Sequence, residues 1–133
     1  MNLTDLDHVG IACADLDAEI ARYRAVLGVE VAHRETVVEQ GVEEALLPVG
    51  DSFVQLLRPL GPDTPVGRFL ADRGPGLHHL AFRVRDIEAA LATFRAEGAT
   101  LIDESPRNGS RGTRIAFVHP KAMGGVLVEL VEP

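Results

Sequence analysis

The sequence has little of several residue types, and each shortage excludes a class of protein. Its 133 residues include a single cysteine, Cys13, which cannot form an internal disulfide and so gives no sign of an oxidising compartment. No uncharged apolar stretch approaches the roughly 18 residues that a membrane-spanning helix needs. The first residues, MNLTDLDHVG, lack the basic segment of a signal peptide. We therefore expect a compact cytoplasmic protein.

Basic residues are also scarce, since 13 Lys and Arg stand against 20 Asp and Glu and give a formal net charge of −7. That sign argues against a general nucleic-acid binder, whose affinity depends on neutralising phosphates. Acidic residues are absent, however, between Ser105 and Val128. The basic side chains inside this window are Arg107, Arg111, Arg114 and Lys121. The window is either a chance gap in a glycine-rich loop region or an anion-binding rim on an acidic protein.

The chain repeats itself. The segment DHVGIACADLDA, which begins at Asp7, aligns with HHLAFRVRDIEA, which begins at His78, at an offset of 71 residues. In both copies a strand-like alternation ends at an aspartate suited to cap a helix, Asp15 or Asp86. An amphipathic helix then follows and stops near a glycine. A tandem duplication of a strand-helix unit is therefore predicted.

Three further strands are expected after each helix. They lie at residues 29–37, 42–49 and 52–58 in the first half and at 100–103, 112–118 and 125–131 in the second. The pattern predicts an α+β fold in a single domain, with βαβββ modules at 1–58 and 76–133 joined by a connector, 59–75, that holds a short helix. Two such modules can pool their strands in one curved mixed sheet, with helices on the convex face and a concave floor opposite.

Strand parity decides which side chains line this floor, because side chains alternate between the two faces. The bulky residues of the first strand must lie under the helix, so His8 and its repeat His79 face the floor, whereas His78 has the opposite parity. Gln55 and Glu129 occupy matching positions in the last strands, at an offset of 74. Alone, each is more often a satisfied polar side chain than a ligand. Together at repeated inward positions, they favour a divalent metal site with open coordination positions.

Five stretches carry a resemblance to a known family. They are DHVGIA at Asp7, QGVEEALLPVG at Gln40, VQLLRPLGPDTPVGRFL at Val54, GLHHLAFRV at Gly76 and LIDESPRNGSRGTRIAFVHPKAMGGVLVEL at Leu101. By these stretches the chain resembles the vicinal oxygen chelate (glyoxalase) superfamily, and within it the methylmalonyl-CoA epimerases. The resemblance implies the glyoxalase fold, a homodimer, an acyl-CoA thioester substrate, and no nucleic-acid or membrane partner. It also implies a divalent ion among Co, Mn, Ni, Zn and Mg, with cobalt favoured.

The resemblance further implies a role for each candidate residue. The metal ligands would be His8, Gln55, His79 and Glu129. Glu44 would be an acid/base carboxylate on one face of the substrate carbon, with Glu129 the candidate on the other face. Glu43 is the alternative to Glu44, although its parity points away from the floor. The basic residues Arg107, Arg111, Arg114 and Lys121 would bind the CoA phosphates or the malonyl carboxylate.

The implied activity is the interconversion of (R)- and (S)-methylmalonyl-CoA, with a proton removed beside the thioester and returned on the other face. Two alternatives share the fold. A glyoxalase I-type metal-dependent lyase or isomerase more often has Glu where Gln55 stands, and its glutathione signatures are missing. A metal-free ligand-binding resistance protein would dispense with the ligand set, which is intact in this sequence.

Overall fold

The computed structural model describes Met1 and residues 3–133. The strands are β1 (Leu3–Ala12), β2 (His33–Val37), β3 (Val42–Val49), β4 (Ser52–Pro59), β5 (Gly76–Val84), β6 (Arg107–Asn108), β7 (Arg114–Val118) and β8 (Val128–Glu132), and the helices are α1 (Leu16–Leu27), α2 (Pro65–Arg73) and α3 (Ile87–Ala96). This order repeats β-α-β-β-β with α2 in the connector, so the predicted α+β class is confirmed. In the part of the chain described, no helix is long and apolar enough to cross a membrane.

The helices begin where the sequence predicts them, because each has a side-chain cap. The Asp15 carboxylate accepts the Ala18 N–H at the start of α1, and Asp86 accepts the Ala89 N–H at the start of α3. In the connector, the Thr64 hydroxyl accepts the Gly67 N–H ahead of α2, whose first residue is proline. The short helix predicted in the connector is therefore present.

Internal contacts divide the chain into two compact units. We call residues 8–78 the N-unit, and residues 1–7 together with 79–133 the C-unit. The division falls inside β1, whose residues 3–7 belong to the C-unit, so the units do not begin where the modules begin. The module boundaries at 58 and 76 stay a prediction.

The N-unit contains the strand order β2-β3-β4-β1, with β1 parallel to β4 and the other pairs antiparallel. One face of this sheet packs against α1. The buried residues of that contact are Cys13, Leu16, Ile20, Ala45, Leu47 and Leu56. We call the opposite face the N-unit site face, and at one end of it Ala12, Leu57 and Val66 pack together with residues of α2.

The C-unit contains the order β1-β5-β8-β7-β6, with β5 parallel to β8 and antiparallel pairing within β6, β7 and β8. Helix α3 covers one face. The strand residues buried under it are Val84, Ala116, Val118, Val128 and Leu130. The opposite face carries the buried cluster Ala81, Ile115, Phe117 and Val131, and we call it the C-unit site face.

The strand predicted at residues 100–103 is wrong. Leu101 forms only an isolated bridge with Val118. The ladder ends there because the Ile102 and Asp103 N–H groups both donate to the Phe117 carbonyl, at 3.0 and 3.2 Å. The Asp103 carboxylate in turn accepts the Phe117 N–H at 2.8 Å, a place that a neighbouring strand would otherwise fill. The strand that pairs with β7 is the short β6, after Pro106.

Candidate metal and catalytic site

Two of the predicted ligands share the N-unit site face. The parallel register of β1 and β4 pairs Gly10 with Gln55, so His8, two residues before Gly10, points to the same side as Gln55. His8 and Gln55 are each only 4% exposed. The Gln55 Oε1 atom has no hydrogen-bond partner among the residues described. Because an unsatisfied buried acceptor costs about 1–3 kcal/mol, this oxygen is placed for a group from outside the chain.

The C-unit repeats this arrangement. The register of β5 and β8 pairs Ala81 with Glu129, so His79, two residues before Ala81, shares the face of Glu129. His79 Nε2 lies 3.3 Å from Glu129 Oε1, and both residues are buried. Equal register positions in β1/β4 and β5/β8 are the structural origin of the sequence offsets of 71 and 74. Each unit therefore carries one imidazole and one side-chain oxygen at equivalent positions.

An aromatic ring packs against the C-unit pair. Phe117 lies directly opposite Glu129 in the β7/β8 register, and its ring meets the His79 imidazole edge-on at 5.5 Å between centroids. The guanidinium of Arg107 lies 5.8 Å from the Phe117 centroid on the same site face. Phe117 thus contacts His79 and lies beside Glu129. Strand parity predicts that Phe117 points to the site face, but it does not predict these contacts.

The structure brings Glu44 to Gln55. Leu46 lies opposite Gln55 in the β3/β4 register, so Glu44 is on the same face, and it is only 1% exposed. The Gln55 Nε2 group donates to Glu44 Oε2 at 3.3 Å. This bond uses the amide nitrogen of Gln55 and leaves its oxygen directed elsewhere. A buried carboxylate on a polar face is thereby held at a defined position.

Glu43 points to the opposite face, as its parity predicts. Its carboxylate accepts hydrogen bonds from Arg34 and Arg58 at 3.0 to 3.2 Å. The hydrogen bond from Arg34 is the main cause that lowers the pKa of Glu43 below its usual value. Glu43 therefore belongs to a surface ion-pair group and makes no described contact with Gln55.

The four basic residues of the acid-free window do not form one cluster. Arg107 lies on the C-unit site face, where its Nε is 3.2 Å from Asp103 Oδ1. Arg111 is the only non-glycine residue with positive φ among those described, and its Nη2 lies 2.9 Å from the buried carboxylate of Asp7. Both acidic partners come from outside the window, so inspection of the window alone could not find them.

Arg114 and Lys121 are placed differently. Arg114 has the parity of Ala116 and therefore lies on the α3 side of the sheet, where it pairs with Glu88 and Glu132. The hydrogen bond with Glu88 is the first cause that raises the pKa of Arg114. Lys121 is exposed in a 3-10 turn, and its backbone N–H donates to His119 Nδ1. The structure thus brings neither residue onto the site face with Arg107.

Comparisons with known proteins agree with this fold. The family model described as Glyoxalase/Bleomycin resistance protein/Dioxygenase superfamily matches residues 7–117. A variant of the Streptomyces coelicolor methylmalonyl-CoA epimerase, solved with 2-nitronate-propionyl-CoA, is 47% identical, with a TM-score of 0.94 over 98% of this chain and 95% of that chain.

Two further relatives are similar over the same length. A methylmalonyl-CoA epimerase solved with methylmalonyl-CoA and NH4+ is 48% identical, with a TM-score of 0.94 over 98% of this chain and 95% of that chain. The ethylmalonyl-CoA/methylmalonyl-CoA epimerase of Cereibacter sphaeroides is 38% identical and covers 94% of this chain and 95% of its own length. The predicted resemblance is confirmed, and the chain belongs to the glyoxalase/bleomycin resistance protein/dioxygenase superfamily.

Proposed function

We propose that the chain is an epimerase that interconverts (R)- and (S)-methylmalonyl-CoA. Relatives that carry this activity in their names match nearly the whole chain at 38% to 48% identity. They favour an epimerase over a glyoxalase I-type enzyme or a metal-free resistance protein. The observation that carries the proposal is a buried carboxylate, Glu44, hydrogen-bonded to Gln55 on a polar site face.

The reaction needs a base on each face of one carbon. The carbon between the thioester and the carboxylate loses a proton to give an enolate, and a proton is returned from the other side. Glu44 removes or returns the proton on one face, and Glu129 is the proposed group on the other. A positioned base of this kind contributes about a hundred- to ten-thousand-fold to the rate.

We further propose that His8, Gln55, His79 and Glu129 hold a divalent metal ion, of which cobalt is favoured. The donor chemistry fits, because two imidazoles, a carboxylate and an amide oxygen lacking a partner among the described residues suit such an ion. When bound, the ion would stabilise negative charge on the thioester oxygen as a Lewis acid. The Phe117 ring contact would orient the His79 imidazole for this role, and the hydrogen bond to Glu44 would orient the Gln55 amide.

The anionic parts of the substrate are assigned to basic side chains. Arg107, Arg111 and Lys121 are proposed to meet the CoA phosphates or the malonyl carboxylate. Arg114 keeps the same predicted role with less support, since it pairs with Glu88 of α3. The homodimer and the cytoplasmic location stay predictions from the sequence and the resemblance.

The test assays the protein separately with two substrates, methylmalonyl-CoA and the methylglyoxal–glutathione hemithioacetal. Metal-free protein, and the same protein reloaded with Co²⁺, are incubated with one pure epimer of methylmalonyl-CoA, and a chiral assay follows the other epimer. Interconversion that depends on Co²⁺ is expected. Turnover of the methylglyoxal–glutathione hemithioacetal without any epimerisation would instead support the glyoxalase I-type alternative.

A further inference from the structure

A second pair of titratable side chains lies beside Glu44 on the N-unit site face. Strand β2 runs antiparallel to β3 with Glu35 directly opposite Glu44. Residues so placed share a face, with Cβ atoms about 4.5–5.5 Å apart. His33, two residues before Glu35, has the same parity, and its Nε2 lies 2.7 Å from Glu35 Oε1. Three groups able to carry a proton therefore form a row across two neighbouring strands.

Exposure rises along this row. Glu44 is 1% exposed, whereas the side chains of Glu35 and His33 are 35% and 36% exposed. Strand β2 is the edge strand of the N-unit, so the row runs from the buried carboxylate of Glu44 to the edge of the sheet. The other face of β2 carries Arg34, which pairs with Glu43 and Asp17 and takes no part in the row.

A two-base epimerase must reset both of its bases between turnovers. Each turnover in one direction leaves one base with an extra proton and the other base without one. Before the next turnover in that direction, both must exchange protons with solvent. Glu44 is only 1% exposed, so direct exchange of its proton with bulk water is slowed, and a route along the chain's own side chains would speed the reset.

We propose that Glu35 and His33 are this route, a proton relay that resets Glu44 between turnovers, and the inference rests on the proposed epimerase function. The O–H bond of protonated Glu44 breaks as an O–H bond forms on the Glu35 carboxylate. Glu35 then passes the proton to His33 Nε2, and the imidazolium releases a proton to water or a buffer base. Glu44, Glu35 and His33 return to their starting charges, and the opposite group takes its proton from solvent separately.

The experiment separates the first turnover from the later ones. Glu35→Gln and His33→Gln are mixed rapidly with one pure epimer, and both the initial burst and the steady-state rate are recorded. A burst of at most one turnover per site should keep the wild-type rate. The steady-state rate should then fall by about ten-fold or more, less than the loss of a direct general base because water still exchanges slowly.

Added imidazole supplies a second readout, because it can replace the missing His33 side chain as a proton carrier. It should raise the steady-state rate of His33→Gln and leave that of Glu44→Gln unchanged. Glu43→Gln is the matched control, since it neutralises a carboxylate on the next strand but on the opposite face. That control should show no burst and a wild-type steady-state rate.

Each contrary result has a distinct meaning. Wild-type steady-state rates in both relay variants would overturn the relay and leave the epimerase function standing. An equal loss in the first turnover and in the steady state would also overturn it, because the residues would then act in the chemistry or the structure. If the wild-type protein interconverts no epimers, the proposed function fails and the relay fails with it.

Discussion

Phe117→Leu should weaken metal binding. The Phe117 ring meets the His79 imidazole edge-on at 5.5 Å, with an angle of 83° between the ring planes, and lies opposite Glu129. The ring is itself covered by the Arg107 guanidinium and is only 9% exposed. Leucine keeps the position apolar but removes the edge that fixes the imidazole plane. Both C-unit donors would then sample orientations that do not suit an ion.

The size of the effect follows from the ring contact. An aromatic pair contributes about 0.5–1.5 kcal/mol beyond its buried area. That energy corresponds to an increase of about two- to thirteen-fold in the dissociation constant. The change from Phe to Leu removes part of a buried side chain and should cost about 1–3 kcal/mol of folding free energy, less than the roughly 5–15 kcal/mol stability of a typical domain, so the variant should remain folded.

The assay is calorimetric titration of metal-free protein with Co²⁺. The control is Phe82→Leu, the same substitution in β5 on the α3 side, where Phe82 packs against the C-unit core. The control should lose some stability but keep the wild-type dissociation constant. Wild-type affinity in Phe117→Leu would refute the reasoning, and an equal weakening in both variants would show that the effect is general loosening of the unit.

Three further results are expected. Glu44→Gln cannot take a proton at neutral pH, so epimerisation followed by a chiral assay should fall by at least about a hundred-fold, and a near-wild-type rate would remove Glu44 from the mechanism. Burial, and then the charges of Glu19 and Asp15, raise the pKa of the Cys13 thiol to about 11. A thiol reagent at neutral pH should therefore label Cys13 only after unfolding, and rapid labelling of the native protein would contradict this. Because the folded-state pKa of Glu43 is lowered, its ion pairs stabilise the protein above the ordinary value of 4.5 and lose that effect as the pH falls through the lower folded value. Urea unfolding should show Glu43→Gln less stable than wild type by about 1 kcal/mol or less at neutral pH, with a difference that shrinks in acid and not in alkali.

The positions of the candidate ligands could be predicted because strands have a period of two and the chain repeats. Parity placed His8 and Gln55 on one face, and His79 and Glu129 on one face, and the parallel registers bear out that arrangement within each unit. Parity also separated Glu44 from Glu43. These features depend only on local alternation and on where a strand begins and ends.

Contacts distant in sequence could not be predicted in the same way. The Arg111–Asp7 ion pair joins residues 104 positions apart, and the side of the sheet taken by Arg114 depends on how β7 begins after the loop. The strand expected at 100–103 failed because the Asp103 side chain takes a ladder hydrogen bond. The pairing of Glu35 with Glu44 depends on the tight turn at Val38–Gln40, which sets the β2/β3 register.

The most direct test of the epimerase function is to follow one pure epimer of methylmalonyl-CoA in D2O with Co²⁺-loaded wild-type protein. A chiral assay would report the epimer, and NMR would report deuterium at the carbon beside the thioester. The two-base mechanism, with its bases reset by solvent, predicts that the other epimer forms and carries deuterium at that carbon. The absence of both interconversion and exchange, in protein shown to be folded and loaded with metal, would contradict this mechanism.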